Sequence, residues 1–534
     1  MNRLFLTSIA VAAALSATAQ DTYESGRLLG SDLNGTARYV GMGGALDALG
    51  ADISTIATNP AGVGLFRHHA ISASMGLVIQ QDARKFDGLS KTCVSFDQIG
   101  FVYSSRMSKR SYLNFAFNYH KSRNFDQLLQ ASNALSHGSL NKLTYAKATK
   151  GNVNSGGFDL GRNSQGDWMG YENSESDLRA QTYSQLDYLQ TNALLEDPND
   201  HNFYYTEADA YTFDRAHRGW IANYDFNISG NANDRVYWGV TVGLSNVNYK
   251  GYSEYTEGLR LVDGTDAGTV TLADERRISG TGFGLKGGVI IRPVEQLPLR
   301  FGLSVATPTW YDLKSENQTQ LFNNSSQGSY DEGHNAERYD FKYYTPWTFG
   351  LSAGHTFGNY LAVGLCYEFA DYGASQNRIN DGYNYYGDKS SYTDTPMKRN
   401  TEDVLKGVST IRVGMELKPI DALALRLGYN YVTPMMNKNG ERDMTLNSPG
   451  VMYASTADYT NWQETNRVTA GVGYKSGGFT VDLAYQFNQT EGTFYPFQSS
   501  VTFNGDDFTE RNIGTGAITK FRRHQLLLTL GYTF

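Results

Sequence analysis

The sequence predicts an all-β protein, a 14-stranded antiparallel transmembrane β-barrel with an N-terminal hatch inside its lumen and long extracellular loops. Three observations favour this fold: many segments alternate apolar and polar residues, the connections between them alternate between short and long, and the final segment ends on Phe534. Alternation with a period of two is typical of a strand that separates two different environments. Short turns at one end and long loops at the other are the expected asymmetry of bacterial barrels.

The last segment shows the alternation most clearly. Leu526, Leu528, Leu530, Tyr532 and Phe534 share one face, whereas the other face carries small or polar residues apart from Leu527. The terminal aromatic residue resembles the closing strand of outer-membrane barrels, in which it forms part of the signal that the insertion machinery reads. We therefore expect this machinery, together with outer-membrane lipid and lipopolysaccharide, among the partners.

About fourteen such segments occur from Ile71 onward, an even number as single-chain bacterial barrels require. Short connections include 106–110, 229–234, 293–297 and 475–478. Long polar connections are expected at 124–216, 251–275, 313–342, 373–407, 435–463 and 490–518.

The first residues predict export. Residues 1–19 have the pattern of a cleaved signal peptide: Arg3 precedes an apolar run from Leu4 to Leu15, and an A-x-A site ends at Ala19, before Gln20. Beyond Gln20 no apolar run reaches the ~18 residues of a membrane-spanning helix. The expected location is the bacterial outer membrane.

The composition fits this class and excludes others. The chain has 56 Gly, 37 Tyr and 27 Phe but only 11 Pro, which suits curved strands and aromatic girdles. A formal charge of -8 argues against a nucleic-acid partner. Two cysteines are too few for a disulfide framework. No metal-ligand spacing and no hydrolase motif occurs, so we expect no metal, no cofactor and no enzyme activity.

Residues 20–67, here called the N-terminal segment, precede the first strand and are rich in Gly and Ala. Their motif residues are Gly41, Gly43, Gly44, Asn59, Pro60, Ala61 and Gly62. The Asn-Pro-Ala-Gly block in particular resembles the hatch of the FadL family of outer-membrane transporters for long-chain fatty acids and other hydrophobic compounds. Ala306 to Trp310, at the end of the seventh strand, is also similar to that family.

The resemblance implies three domains: the signal peptide 1–19, the hatch 20–67 and the barrel 68–534, which includes the large extracellular loop 124–216. It also implies passive uptake, in which loops capture a hydrophobic molecule and the lumen binds it before the hatch moves. In the family the substrate leaves through a gap beside a kinked third strand. Here that strand, Tyr112 to His120, contains neither Gly nor Pro, so a kink is not predicted.

Two stretches of the large loop follow helical spacing and are candidates for ligand capture, because an exposed apolar patch outside the membrane suits a hydrophobic solute. Packing of the two helices on each other is an equally good reading. The candidate residues are Phe125, Leu128, Leu129, Leu135, Leu186, Leu189 and Leu194.

Several lumen-facing positions are charged and predict a polar network that holds the hatch through Arg38, Asp47 or Asp52. The network residues are Glu368, Arg412, Glu416, Arg426, Arg467 and Asp482. A site for a carboxylate headgroup at Arg412 or Arg426 is an alternative. Alternative functions are a surface adhesin or structural barrel, haem uptake through His68 and His69, and an outer-membrane lipid hydrolase.

Overall fold

The computed structural model describes residues 20–150, 158–162, 168–172, 176–178, 183–195, 204–261, 263–326, 332–333, 337–383, 389–504 and 507–534. The expected signal peptide, 1–19, lies outside the described residues. Among the helices of these ranges, none has the length and hydropathy needed to cross a membrane.

Fourteen antiparallel strands form a closed barrel, which confirms the predicted fold class. In chain order they are β1 (Ala70–Gln80), β2 (Thr92–Ser108), β3 (Ser111–Asn124), β4 (Glu207–Ala232), β5 (Val236–Arg260), β6 (Asp266–Ile291), β7 (Arg300–Ala306, continued by Trp310–Ser325), β8 (Glu337–Tyr344, continued by Thr348–Phe357), β9 (Leu361–Asp371, continued by Gln376–Tyr383), β10 (Gly407–Ile420), β11 (Leu423–Val432), β12 (Tyr459–Ser476), β13 (Phe479–Tyr495) and β14 (Ala517–Thr533). Each strand pairs with the next, and β14 pairs with β1 from Thr533 opposite Ala70 to Arg523 opposite Gln80, which closes the ring.

The remaining described elements lie in the N-terminal segment and the long connections. Eight short strands cover Gln127–Gly138, Phe158–Arg162, Trp168–Glu172, Ser176–Leu178, Glu332–Gly333, Lys389–Thr393, Ser500–Asn504 and Asp507–Asn512. The helices are α1 (Thr22–Gly26), α2 (Ala37–Gly41), α3 (Leu140–Lys150), α4 (Gln185–Gln190), α5 (Thr395–Val404) and α6 (Pro449–Met452). Short 3-10 helical turns cover Ile53–Ala57, Pro60–Leu65 and Tyr372–Ala374, and a π-helical turn covers Thr191–Leu195.

The outward face of the barrel carries the predicted apolar rows. On β14, Leu526, Leu528 and Leu530 are 44%, 43% and 56% exposed, whereas Leu527 is completely buried. Leu527 departs from the polar row because it packs against Leu33, Val40 and other apolar side chains of the N-terminal segment. Exposed apolar residues arranged as a belt suit a surface that faces lipid.

The N-terminal segment lies inside the ring. Helix α2 contacts β11, β12, β13 and β14, and the turn Pro60–Leu65 contacts β3, β4, β5 and β6, on the far side. The Ala37 backbone N–H donates to the Thr529 hydroxyl at 2.7 Å, and the Thr36 hydroxyl donates to the Asp52 carboxylate at 2.8 Å. The segment is therefore folded on itself and fastened to the wall.

The strands differ in length, and this difference shapes one side of the barrel. The half of β4 nearest the long loops does not pair with β3. It pairs with the strand Gln127–Gly138, from His217 opposite Gln127 to Ala208 opposite Gly138. That strand lies beside the loop end of β14, where the Asn133 side chain donates to the Gly516 carbonyl at 2.7 Å. The wall above the short strands β1 to β3 is thus completed by an element of the large loop.

This arrangement corrects the helix expected over Phe125–Leu135, because Gln127–Gly138 is a strand. Both of its faces are covered: Leu129 and Leu135 join an apolar cluster inside the barrel, and Leu128 packs against Leu89 on the other side. Burial on both faces places apolar residues at spacings that look helical, and pairing with the free edge of β4 decides the conformation. The expected helix over Leu186–Leu194 is confirmed by α4 and the turn Thr191–Leu195.

The predicted loops 251–275 and 313–342 are also largely wrong. Strand β5 runs to Arg260, β6 begins at Asp266, β7 runs to Ser325, and β8 begins at Glu337. Beyond the belt the alternation is reversed on β5: the outward side chains are mainly polar, whereas inward residues such as Val247, Tyr249 and Leu259 are apolar and buried. The backbone pairing continues through this part of the strand.

Candidate functional site

A cavity of about 440 Å³ lies in the barrel between the N-terminal segment and the wall, and we call it the inner cavity. Its volume falls in the range of about 300–1,000 Å³ that is usual for small-molecule sites. Residues from the N-terminal segment form one side, among them Leu28, Asp32 and Tyr39, and inward-facing strand residues form the rest. A second cavity, of about 410 Å³, opens among the short turns and is called the turn-end cavity.

Part of the inner cavity is apolar. Several of its lining residues belong to one buried apolar cluster, namely Tyr23, Leu28, Leu29, Phe125, Ile221, Tyr311, Met436 and Tyr459. Phe125 meets Tyr249 edge to face, with ring centroids 5.2 Å apart. These side chains offer a surface on which the apolar part of a solute can be buried.

The other part of the inner cavity is charged. Arg123, Arg467 and Arg523, which we call the arginine cluster, converge on Asp32 of the N-terminal segment. A guanidinium nitrogen of Arg523 lies 3.2 Å from the Asp32 carboxylate, and one of Arg467 lies 3.9 Å from it. Burial raises the pKa of Asp32, but the three arginines and the Asn124 N–H outweigh this effect and hold the pKa at about 2.

The charged residues predicted for the lumen lie in ion pairs that reach the N-terminal segment. Arg412 lies 2.7 Å from Glu368 and 3.5 Å from Asp47. Arg426 lies 2.7 Å from Glu416 and 2.6 Å from Asp482.

Two further contacts involve residues of the predicted network. Glu416 also pairs with Arg38, at 3.1 Å, whereas Arg467 donates to Asn430 at 2.9 Å. Since Arg412 and Arg426 each face two carboxylates already, a carboxylate-headgroup site at either residue would have to displace a native partner.

The motif residues of the N-terminal segment pack against the wall, and none of the seven borders either cavity. Gly43 and Gly44 have φ angles of 63° and 81°. A Cβ on Gly43 would lie 2.8 Å from the Tyr429 backbone nitrogen, and one on Gly44 would lie 2.9 Å from Leu33. Glycine is needed at both positions because of the left-handed backbone and the close approach.

The remaining motif residues shape the turn Pro60–Leu65. The Asn59 side chain accepts from the Ala61 N–H at 3.1 Å and so caps the turn, while Pro60 occupies its first position. Ala61 is completely buried, and Gly62 approaches Thr55 so closely that a Cβ would lie 2.5 Å from the Thr55 hydroxyl.

The candidate capture residues are buried. Leu186, Leu189 and Leu194 pack with Leu129 and Leu135 into one cluster with Tyr211, Phe213 and Phe494 of the wall. This cluster closes the loop end of the barrel, so these residues form no exposed patch. Of the seven candidate capture residues, only Phe125 borders the inner cavity. A role in capture remains a prediction, and it would require the cluster to open.

The two adjacent histidines lie at the turn end. The His69 Nδ1 accepts from the Ser104 N–H at 3.1 Å, and its ring stacks on Tyr103 with centroids 4.7 Å apart, whereas His68 is exposed. Among the described residues no group of three or more His, Cys, Asp or Glu is arranged to hold a metal ion.

Sequence reasoning missed three residues of the site: Asp32, Arg123 and Arg523. Asp32 lies in a segment without periodicity, and Arg123 lies at the end of β3. Arg523 could have been found by extending the inward row of β14 back from Thr529 through Leu527. Only closure of the barrel brings it next to Arg123.

No protein-family model and no curated protein matches the sequence. Among solved structures, the chain is similar to the Ralstonia pickettii toluene transporter TbuX, with a TM-score of 0.46 and 11% identity over 94% of this chain and 99% of that chain. For the Pseudomonas putida toluene transporter TodX the TM-score is 0.44 and the identity is 12%, over 94% of this chain and 98% of that chain. For a Pseudomonas aeruginosa FadL homologue the TM-score is 0.46 and the identity is 11%, over 98% of this chain and 100% of that chain.

Proposed function

We propose that the protein is a bacterial outer-membrane channel for the passive uptake of hydrophobic small molecules, with long-chain fatty acids as the substrate class. The observation that carries the proposal is the inner cavity, which combines an apolar surface with a charged one. This cavity lies inside a closed barrel whose outward face carries a belt of apolar residues. The N-terminal segment forms one side of this cavity, and it acts as the hatch. The signal peptide exports the chain, and Phe534 addresses it to the insertion machinery.

Burial of apolar surface supplies the driving force for binding. Each methylene that leaves water for an apolar surface gains about 0.8 kcal/mol. Binding therefore favours long acyl chains, and passage follows the concentration gradient because nothing in this step consumes energy. The polar part of the inner cavity keeps the head of such a molecule hydrogen-bonded while its chain is buried.

An exit route beside β3 is supported by the pairing of the strands. β2 and β3 pair only as far as Gln98 opposite His120, although β3 continues to Asn124. Beyond that point the N-terminal segment takes the free edge of β3: the Asp32 N–H donates to the Ser122 carbonyl at 2.8 Å, and the Asn34 side chain donates to the Lys121 carbonyl at 3.0 Å. Removal of this part of the hatch would open the wall sideways, so no proline or glycine kink is required.

Uptake of labelled oleate by a deletion strain and by the complemented strain tests the proposal. We expect the deletion to slow uptake and the wild-type gene to restore it. The matched control is Arg277→Gln, which removes an exposed arginine whose partner is Glu275, and it should restore uptake fully. If the deletion strain takes up oleate at an unchanged rate but no longer attaches to surfaces, the protein is a surface adhesin and not an uptake channel.

A further inference from the structure

The arginine cluster has more positive charge than its immediate partners neutralise. Within 4 Å, Arg523 and Arg467 share the single carboxylate of Asp32 among the described residues. Arg123 donates instead to the Leu29 carbonyl, which is uncharged. Three guanidinium groups thus surround one carboxylate at the border of a cavity, and such planar groups match carboxylate and phosphate oxygens.

Two of these arginines also have hydrogen-bonding capacity to spare. Arg467 and Arg523 are 7% and 4% exposed, and the Nε–H of each has no partner among the described residues. Buried donors normally find acceptors, so a pair of unused ones beside a cavity points to an acceptor that arrives from outside the chain.

The other nearby carboxylates have partners of their own, although the Oδ2 of Asp97 has none among the described residues. Asp97 accepts from the Asn34 side chain at 2.9 Å and from Ser95 at 2.8 Å, and Asp126 accepts from the Gly219 N–H at 3.2 Å. Glu368 pairs with Arg412. None of these carboxylates lies within 4 Å of the arginine cluster in the described part of the chain.

We propose that the arginine cluster binds the anionic head of an amphiphilic substrate, and that Asp32 is a built-in competitor whose displacement by that head releases the hatch. This inference rests on the proposed uptake function and names its trigger. The shared chemistry is a carboxylate or phosphate head on an apolar chain. The head of the substrate binds the guanidinium groups, while its apolar chain lies along the apolar cluster around Leu29 and Phe125.

Displacement would be coupled to opening because Asp32 also fastens the hatch to β3. Its carboxylate accepts from the Asn124 N–H at 2.9 Å, and its own N–H donates to Ser122. When another anion occupies the arginines, the Asp32 carboxylate loses its charged partners, and the contact with the edge of β3 loses its anchor. A neutral amphiphile binds without this effect.

Equilibrium binding of palmitate, hexadecyl phosphate and hexadecanol to the full-length protein in nanodiscs tests the proposal. Arg467→Gln and Arg523→Gln should each weaken palmitate binding about tenfold or more, the effect of one hydrogen-bonded charged group. Both should leave hexadecanol binding unchanged. The control Arg277→Gln, in the exposed pair with Glu275, should leave the binding of palmitate and of hexadecanol unchanged. Comparison of palmitate with hexadecyl phosphate distinguishes the two kinds of head.

Asp32→Asn is the complementary variant, because an amide can still accept from the Asn124 N–H but no longer competes for the arginines. It should tighten palmitate binding severalfold and leave hexadecanol binding unchanged. In the wild type, palmitate but not hexadecanol should accelerate the hydrogen exchange of residues 28–34.

Two outcomes would overturn the inference, and they are distinguishable from failure of the channel itself. If palmitate and hexadecanol bind equally and the arginine variants change neither, the anion site is wrong but the hydrophobic channel stands. If Asp32→Asn weakens palmitate binding, Asp32 is part of the site and not its competitor. If none of the three amphiphiles binds, the proposed function fails first.

Discussion

The side-chain amide of Gln80 forms both hydrogen bonds that a neighbouring strand would form with the backbone of Leu128. Its Nε2 donates to the Leu128 carbonyl at 2.7 Å, and its Oε1 accepts from the Leu128 N–H at 2.8 Å. Gln80 is the last residue of β1, so one side chain ends the short strands and holds the edge of the strand Gln127–Gly138 above them. The loop end of the barrel depends on this contact.

We therefore expect Gln80→Leu to loosen the strand Gln127–Gly138. Each buried backbone group that is left without a partner costs about 1–3 kcal/mol, so hydrogen exchange at Leu128 and its neighbours should accelerate, while β9 to β13 keep their protection. Gln80→Glu should have an intermediate effect, since an ionised carboxylate accepts from the Leu128 N–H but cannot donate to its carbonyl. Equal exchange in all three proteins would show that other contacts hold this strand.

Gly43→Ala should destabilise the N-terminal segment more than Gly88→Ala destabilises its own turn. Both glycines have positive φ angles, 63° and 68°, so both substitutions introduce a backbone strain of about 1–2 kcal/mol. A Cβ on Gly88 would meet nothing within 4 Å, whereas one on Gly43 would lie 2.8 Å from the wall at Tyr429. The difference between the two variants isolates this clash.

Hydrogen exchange of residues 37–49, with gel mobility of the unheated barrel as a check of its folding, measures the effect. A barrel that keeps its mobility while the segment exchanges faster would show that the wall is stable without a tightly packed hatch. If the two variants behave alike, the close approach of Gly43 to β11 has no energetic weight.

The barrel was predictable because lipid on one side and a packed interior on the other impose alternation, as on β14. The extensions of β5 and β6 beyond the belt were assigned to loops because their outward faces there carry mainly polar residues. The apolar row lies on the inward face instead, as Val247, Tyr249 and Leu259 show. The strand Gln127–Gly138 was mistaken for a helix because Leu128 and Leu129 are both buried, on opposite faces.

The site was predictable only in part, for a topological reason. Arg412 and Glu416 stood out because a charge on an inward row needs a partner. Asp32 carries no such signal, and its three arginines come from β3, β12 and β14. Only ring closure places these strands around one carboxylate, and no local pattern in the sequence encodes that arrangement.

Protonation of Glu257 should hold α3 in place at low pH. Glu257 lies on β5 beyond the apolar belt and is buried, where it accepts from the Ser139 hydroxyl and the Leu140 N–H, both at 2.7 Å, at the start of α3. Burial raises the pKa of Glu257 above its usual value near 4.5, although hydrogen bonds from Tyr255 and Ser139 oppose the shift. Because the folded-state pKa is the higher one, the contribution to stability is complete below about pH 4.5 and is lost as the pH rises through the raised pKa.

Over the pH range above about 4.5, hydrogen exchange of residues 139–147, corrected for intrinsic rates, should therefore show protection that falls as the pH rises. Glu257→Gln cannot ionise, so its protection should be independent of pH over this range. The exposed acid Glu275 offers the control, since Glu275→Gln should leave the pH dependence as it is in the wild type. A wild type without pH dependence would mean that Glu257 ionises at no cost.

A disulfide between the N-terminal segment and the wall should block uptake reversibly. A Cβ on Gly41 would lie 3.2 Å from the Cα of Gly471, and one on Gly471 would lie 3.3 Å from the Cα of Gly41, so the two positions are within reach of a disulfide once the backbones separate by a few tenths of an ångström. The pair Gly41→Cys with Gly471→Cys belongs in a background without the two free cysteines, Cys93 and Cys366. The oxidised protein should fail to import oleate, and reduction should restore import, whereas either single cysteine should be indifferent to reductant. Full import by the cross-linked protein would show that α2 does not move during uptake. The moving part of the hatch would then be restricted to residues around Asp32, about nine positions before the cross-linked residue 41.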